Sequence, residues 1–113
     1  MPLTLHHVVV DTHDLPELAR FWTQALGWTV LSAREREIVI GPDVNAPVGI
    51  CFMPVTDPKR VKNRVHLDLT AVHAEGEVGR LVSIGASVIG RYESHATLAD
   101  PQGNEFCVML RRG

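Results

Sequence analysis

The chain has 113 residues, of which 45% are hydrophobic and 21% charged, and its formal net charge is -2 at pH 7. This length and composition predict one globular domain with a modest core, and the charge offers no basic surface for nucleic acid. No apolar run approaches the roughly 20 residues that cross a bilayer, so no membrane association is expected. Two cysteines, Cys51 and Cys107, and an N-terminus without a signal peptide predict reduced thiols and a cytoplasmic location.

The first two predicted elements are a strand and an amphipathic helix. The segment Leu5–Asp11 predicts a strand, because it aligns with a clearly alternating segment in the second half of the chain. Asp14 is a suitable helix N-cap, Pro16 falls in the first turn, and Glu17 completes a capping box. Apolar residues then recur at helical spacing up to Gly27, where a left-handed C-cap conformation costs least.

Three short strands and a basic connector complete the first half. The strands are predicted at about Trp28–Ser32, Ile38–Ile40 and Val48–Met53, because these segments are rich in β-branched or aromatic residues and turn sequences separate them. The connector Pro54–Asn63 and the residue that follows it carry four basic side chains: Lys59, Arg60, Lys62 and Arg64. Such a run forms either an anion-binding strip or a solvated linker, and the linker is favoured because charge runs usually lie at the surface.

The second half repeats this order and begins with a strand. Residues Val65–Thr70 alternate apolar and polar side chains over a length typical of a half-buried strand. His66 and Asp68 share the polar face of this strand. His66 takes the place that His7 has in the first half, so the two halves open alike.

A helix and three more strands follow. The helix is predicted at about Ala74–Ile84, ended by Gly85, with an inner face of three residues: Val78, Leu81 and Val82. The strands are predicted at Ser87–Arg91, Ala96–Ala99 and Glu105–Leu110. The turn Asp100–Asn104 joins the last two, and its proline and glycine fit a type I turn continued into a bulge.

The repeat predicts the fold class. We expect an α+β fold in which two tandem βαβββ modules form a cupped, mainly antiparallel sheet with two outer helices. The whole chain, residues 1–113, is expected to be a single domain. Its first module covers about residues 4–55, its linker about residues 56–63, and its second module about residues 64–111.

Four segments together resemble the vicinal oxygen chelate superfamily, which includes glyoxalases, bleomycin-resistance proteins and dioxygenases. They are His7–Asp11, Phe21–Trp28, Asn63–Leu69 and Asp100–Val108. The resemblance covers essentially the whole chain and is greatest to small single-domain glyoxalase-like proteins. It implies paired modules whose strands wrap a cavity, commonly in a homodimer.

The resemblance also implies where a metal would bind. Metal-using members take ligands from the first and last strands of the modules, and those positions here are His7, Cys51, His66 and Cys107. The histidines match common ligands of the family, whereas the cysteines stand where metal-dependent members have a glutamate in at least one position. Buried cysteines usually behave as small apolar residues. No metal cofactor is therefore expected, with a divalent ion (zinc, iron, nickel or manganese) as the alternative.

Two carboxylates are candidates for proton transfer. Asp68 and Glu105 share the inward parity of their strands, but each lies one pleat, ~6.6 Å, from a family ligand position. Either is a candidate general base or a hydrogen-bonding partner of His66. Neither is an obvious metal ligand from the sequence.

The expected partner is a small organic molecule, aromatic molecules included. In the favoured interpretation a cavity binds it without metal, in the manner of drug-sequestering members, against four candidate residues: Trp28, Met53, Tyr92 and Met109. Tyr92 and His95 are either at the cavity mouth or in an exposed loop. The alternative is a divalent-metal-dependent lyase, isomerase or dioxygenase that uses His7 and His66 as ligands. A structural protein with a filled cavity is the third class.

Overall fold

The structure, a computed structural model, describes residues 2–110 and divides into two compact units between Pro58 and Lys59. The elements are β1 (His7–Thr12), α1 (Leu15–Leu26), β2 (Thr29–Arg34), β3 (Glu37–Gly41), β4 (Gly49–Pro54), β5 (Asp68–Leu69), α2 (Ala74–Ser83), β6 (Ser87–Arg91), β7 (His95–Ala99) and β8 (Glu105–Met109). Each unit is thus one βαβββ module, and the predicted α+β class is confirmed. Within residues 2–110, neither helix has the length and apolar character that spanning a membrane requires.

The first unit holds a four-stranded mixed sheet. Its strand order is β1-β4-β3-β2, in which β1 runs parallel to β4 and the other two pairs are antiparallel. Helix α1 packs on β3 and β4, and Leu18, Ile40 and Phe52 are fully buried at the centre of this core. Cys51 alternates with Phe52 along β4 and therefore lies on the opposite face of the sheet.

Helix α1 begins and ends as its sequence predicts. The Asp14 side chain accepts a hydrogen bond from the Glu17 N–H at 3.1 Å, and Gly27 adopts the left-handed conformation with φ 66°. The Asp14 N–H donates to Thr12 Oγ1 at 3.0 Å, so the last residue of β1 also fixes the start of the helix. Trp22 is buried in the core.

The second unit repeats the sheet with the strand order β5-β8-β7-β6, again with one parallel pair, β5 and β8. Helix α2 packs on β8, and Val78 and Leu81 are buried as predicted. The prediction for Val82 is wrong, because its side chain is 45% exposed. Val82 lies in the last turn of a ten-residue helix, where the buried stripe has already ended.

One predicted strand is much shorter than expected. The alternation predicts a strand over Val65–Thr70, but only Asp68–Leu69 pairs with β8, extended by a hydrogen bond from the Cys107 N–H to the Leu67 carbonyl at 2.9 Å. A longer β5 would continue along the edge of β8 at Glu105. The Asn63 side-chain amide occupies that edge, since it lies 3.3 Å from the main chain of Glu105. The other predicted strands are present, and no end moves by more than two residues.

The turn between β7 and β8 is fixed by a buried carboxylate. The Gly103 N–H donates to the Asp100 carbonyl at 2.8 Å, and Gly103 has φ 86°, which fits the predicted turn and bulge. Asp100 is 3% exposed, and its side chain accepts from the Gln102 N–H at 2.9 Å, the Asn104 N–H at 3.0 Å and the Asn104 amide at 3.1 Å. Through this turn Asp100 sets the start of β8.

Asp100→Ala should lower the free energy of unfolding by about 2–3 kcal/mol, because it leaves partly buried donors without an acceptor. Urea unfolding followed by circular dichroism measures this change. Asp43→Ala is the matched control, since the Asp43 carboxylate accepts one turn hydrogen bond, from the Asn45 N–H at 2.8 Å, but is exposed. Equal losses in the two variants would contradict the role given to burial.

Candidate functional site

A cavity of about 370 Å³ lies within the second unit. Its lining comes from the connector, β5 and the segment before it, β7 and β8: Lys62, His66, Asp68, His95, Thr97, Glu105, Cys107 and Met109. Along β8 the lining residues alternate with Phe106 and Val108, which are buried. The cavity therefore lies on the sheet face opposite those core residues. Six of its eight lining residues carry polar or charged side chains, while apolar atoms form most of the lining surface.

Three potential metal ligands converge at this cavity. One ligand atom each from His66, Asp68 and Cys107 lies within 4.8 Å of the other two, and His66 Nε2 is 3.2 Å from Asp68 Oδ1. The parallel register places Asp68 beside Cys107, and His66 precedes Asp68 by two residues. The side chains of His66 and Asp68 are 40% and 56% exposed, whereas Cys107 is buried.

Strand β7 adds two oriented polar side chains. His95 is held on one side by Ser94, whose Oγ lies 2.8 Å from His95 Nδ1, and its ring stacks on Tyr92 with a centroid distance of 4.9 Å. Thr97 lies beside Cys107 in the antiparallel register, with Oγ1 3.6 Å from Sγ. Sequence reasoning missed Thr97, although it shares a strand face with His95. Tyr92 itself is mostly exposed and supports His95.

Glu105 binds the connector instead of standing free in the cavity. Its carboxylate accepts from the Asn63 N–H at 3.1 Å and forms a 3.0 Å ion pair with Lys59. Burial raises the pKa of Glu105, but the Asn63 and Lys59 hydrogen bonds outweigh it and hold the pKa below its ordinary value of 4.5. A carboxylate so stabilised is a weak general base. Lys59 and Asn63 thus attach the connector to β8, so the predicted solvated linker is bound at this end.

The remaining candidate residues belong to the first unit. His7 opens β1 opposite Gly49, and its ring lies 3.8 Å from that of His6. Cys51 is 2% exposed, and burial, together with the neighbouring Glu37 carboxylate, raises the pKa of its thiol. That environment favours the protonated thiol over the thiolate that binds metals.

The two aromatic or apolar candidates of the first unit differ in exposure. Trp28 is half-buried just after α1, and Met53 is 39% exposed near the end of β4. Among residues 2–110, one group of three potential metal-ligand side chains has its ligand atoms close together. It is the group of His66, Asp68 and Cys107 in the second unit.

Equivalent rows of the two sheets differ in their chemistry. In the first sheet Cys51 pairs with Val9 on one side and Val39 on the other. In the second sheet Cys107 pairs with Asp68 and Thr97. The same register therefore carries an apolar row in one unit and a polar row in the other.

Residues 7–109 match the family model of a glyoxalase-like domain. The chain belongs to the glyoxalase-like domain family. This family lies in the vicinal oxygen chelate superfamily, so the resemblance drawn from the sequence segments is confirmed. No curated protein sequence matches the chain.

Solved structures share the fold at low sequence identity. A fosfomycin resistance protein, FosX from Listeria monocytogenes, complexed with Mn(II) and a dihydroxypropylphosphonic acid, has a TM-score of 0.76 at 15% identity, with 99% of this chain and 93% of that chain covered. Glyoxalase I from Leishmania major has a TM-score of 0.70 at 16% identity, covering 96% and 86%. A glyoxalase/bleomycin resistance/dioxygenase family enzyme from Burkholderia phytofirmans has a TM-score of 0.73 at 16% identity, covering 94% and 97%.

Glu105→Gln should lower the free energy of unfolding by about 1–2 kcal/mol at pH 7, because it removes the charge that Lys59 and Asn63 stabilise. The folded-state pKa lies below 4.5, so this stabilisation is present above about pH 4.5 and is lost as the pH falls through the folded-state value. Urea unfolding at pH 7 and at several lower pH values measures it. Exposed Glu35→Gln is the control, and a difference between the two variants that stays constant with pH would contradict the prediction.

Proposed function

We propose that this protein binds a small polar organic molecule in the cavity of its second unit. The observation that carries the proposal is the convergence of polar side chains from β7, β8 and the segment leading into β5 on one cavity of about 370 Å³. A volume of this size suits a molecule of metabolite size, because ligand pockets commonly measure roughly 300–1,000 Å³.

The lining offers a ligand both hydrogen-bonding groups and apolar surface. The Lys62 ammonium and the Thr97 hydroxyl offer hydrogen-bond donors, and Asp68 offers an acceptor. His95 presents its Nε2 side, because Ser94 engages Nδ1. Met109 lines the same cavity, which supports an apolar contact from it to the ligand. Specific binding of this kind depends on a few fixed polar groups in a mostly preformed pocket.

Structural neighbours support a small-molecule role. The Listeria FosX structure holds a dihydroxypropylphosphonic acid, and the Leishmania glyoxalase I is described as trypanothione-dependent. Both share the fold of this chain over nearly its whole length. Binding of a small molecule by the same sheet architecture is therefore a reasonable expectation for this protein.

A second candidate function is that of a divalent-metal-dependent lyase, isomerase or dioxygenase. The convergence of His66, Asp68 and Cys107 within 4.8 Å favours it. Ligand atoms around a tetrahedral ion lie about 3.3–3.7 Å apart, so a small inward movement of the exposed His66 and Asp68 side chains fits the trio to an ion. A bound ion would polarise an oxygen of the ligand.

Among the two predicted bases, Asp68 is better suited than Glu105 when no ion is bound. Glu105 is held ionised by Lys59 and Asn63, whereas Asp68 contacts the His66 imidazole at the cavity. With an ion bound, Asp68 would become a ligand, and His95 would be the remaining oriented group for proton transfer.

Thr97→Val and His95→Ala should each weaken ligand binding by about five- to tenfold, because each removes a hydrogen-bonding group worth about 1 kcal/mol. The probes are 2-hydroxy acids, 2-oxo acids and catechols, screened by ligand-observed nuclear magnetic resonance and followed by titration of the isotope-labelled protein. Val39→Thr, at the equivalent row of the first unit, is the control and should leave affinity unchanged. Binding that shifts resonances only outside the cavity lining would contradict the proposed site.

A further inference from the structure

We infer that His66, Asp68 and Cys107 form a site for a zinc-type divalent cation, with all its protein ligands from the second unit and Asp68 as the third ligand. The inference deepens the second candidate function and rests on the cavity as its setting. It shares His66 and Cys107 with the set implied by the family resemblance, and Asp68 replaces His7 and Cys51 of the first module. The one ligand trio in residues 2–110 contains neither.

The backbone pre-positions two of these ligands. Asp68 and Cys107 are register partners in the parallel β5–β8 pair, and the Cys107 N–H donates to the Leu67 carbonyl at 2.9 Å. Their Cβ atoms are therefore fixed on the same face of neighbouring strands, a strand spacing of about 4.8 Å apart. His66 reaches the same point from two residues earlier, with Nε2 3.2 Å from Asp68 Oδ1.

The donor set selects the cation. A thiolate, an imidazole and a carboxylate suit Zn²⁺ or Co²⁺, whereas Mg²⁺ and Ca²⁺ prefer oxygen ligands alone. Three protein ligands leave the fourth position of a tetrahedral ion open, as catalytic zinc sites do. The Thr97 hydroxyl, 3.6 Å from Cys107 Sγ, can donate to the thiolate and stabilise it as a ligand.

The equivalent row of the first unit cannot offer the same set. Val9 and Val39 stand beside Cys51 where Asp68 and Thr97 stand beside Cys107. The Cys51 thiol is moreover held in its protonated form by burial and by Glu37. This difference makes Cys51→Ser a control matched in residue type and register to Cys107→Ser.

Cobalt binding tests the inference by a readout independent of activity. The full-length reduced protein, stripped with a chelator, is titrated with CoCl₂ while the near-ultraviolet thiolate-to-cobalt charge-transfer band and the visible ligand-field bands are recorded. We expect one equivalent of Co²⁺ to bind, and ZnCl₂ to displace it. Cys107→Ser should abolish the charge-transfer band, and His66→Ala and Asp68→Asn should each raise Kd at least about tenfold. Cys51→Ser and His7→Ala should bind Co²⁺ within about twofold of the parent protein.

Three outcomes would overturn the inference. The first is the absence of a charge-transfer band in the folded parent protein, and the second is loss of that band in Cys51→Ser. The third is an unchanged affinity for Co²⁺ in Asp68→Asn. Circular dichroism confirms folding of each variant, and the parent titration alone decides the first outcome. The small-molecule screen is then repeated on the protein from which the chelator has removed all metal, and this repeat separates the two proposals. If the probes bind without cobalt binding, the cation site fails while the proposed small-molecule function stands.

Discussion

The parallel pairing of β5 with β8 is the constraint on which the candidate site depends. Only Asp68 and Leu69 form this strand, yet their register with Cys107 and Val108 decides which side chains face the cavity. Side chains alternate along a strand, so a shift of one residue would place Leu69 beside Cys107 and turn Asp68 towards the core. The exposed Asp68 and the half-buried Leu69 both oppose such a shift, because Asp68 would then face the core and Leu69 the cavity. The site and the core therefore fix one another.

The connector contributes to this register from outside the strand. Asn63 binds the main chain of Glu105, and Lys59 pairs with its carboxylate, so the chain enters β5 from a fixed point on β8. The same contacts occupy the Glu105 carboxylate and lower its pKa, which weakens it as a base. One acidic residue of the cavity therefore serves chiefly to position the strand, and Asp68 is left as the carboxylate that meets His66.

The fold could be predicted from signals within a few residues of each helix or strand, whereas the site depends on which residues of neighbouring strands are paired. Asp14 and Gly27 mark the ends of α1 through capping chemistry that operates within a few residues, and the structure confirms both. The predicted strand Val65–Thr70 was too long because the competing partner, the Asn63 amide, is a side chain that periodicity does not describe. Likewise, the alternation of side chains along the chain places His66 and Asp68 on the same face. Only the pairing of β7 with β8 shows that Thr97 lies beside Cys107. The homodimer implied by the resemblance involves a second chain and stays a prediction.

The two modules show how a repeated register can carry different chemistry. Cys51 and Cys107 occupy equivalent rows, and both are buried, so the repeat alone treats them as equals. Their neighbours decide otherwise, because the valines on both sides of Cys51 offer no ligand atom or hydrogen-bonding group. Asp68 and Thr97 give Cys107 an acceptor and a donor within the same backbone geometry. Two side chains therefore separate a core position from a candidate binding site, and the fold itself needs no change between them.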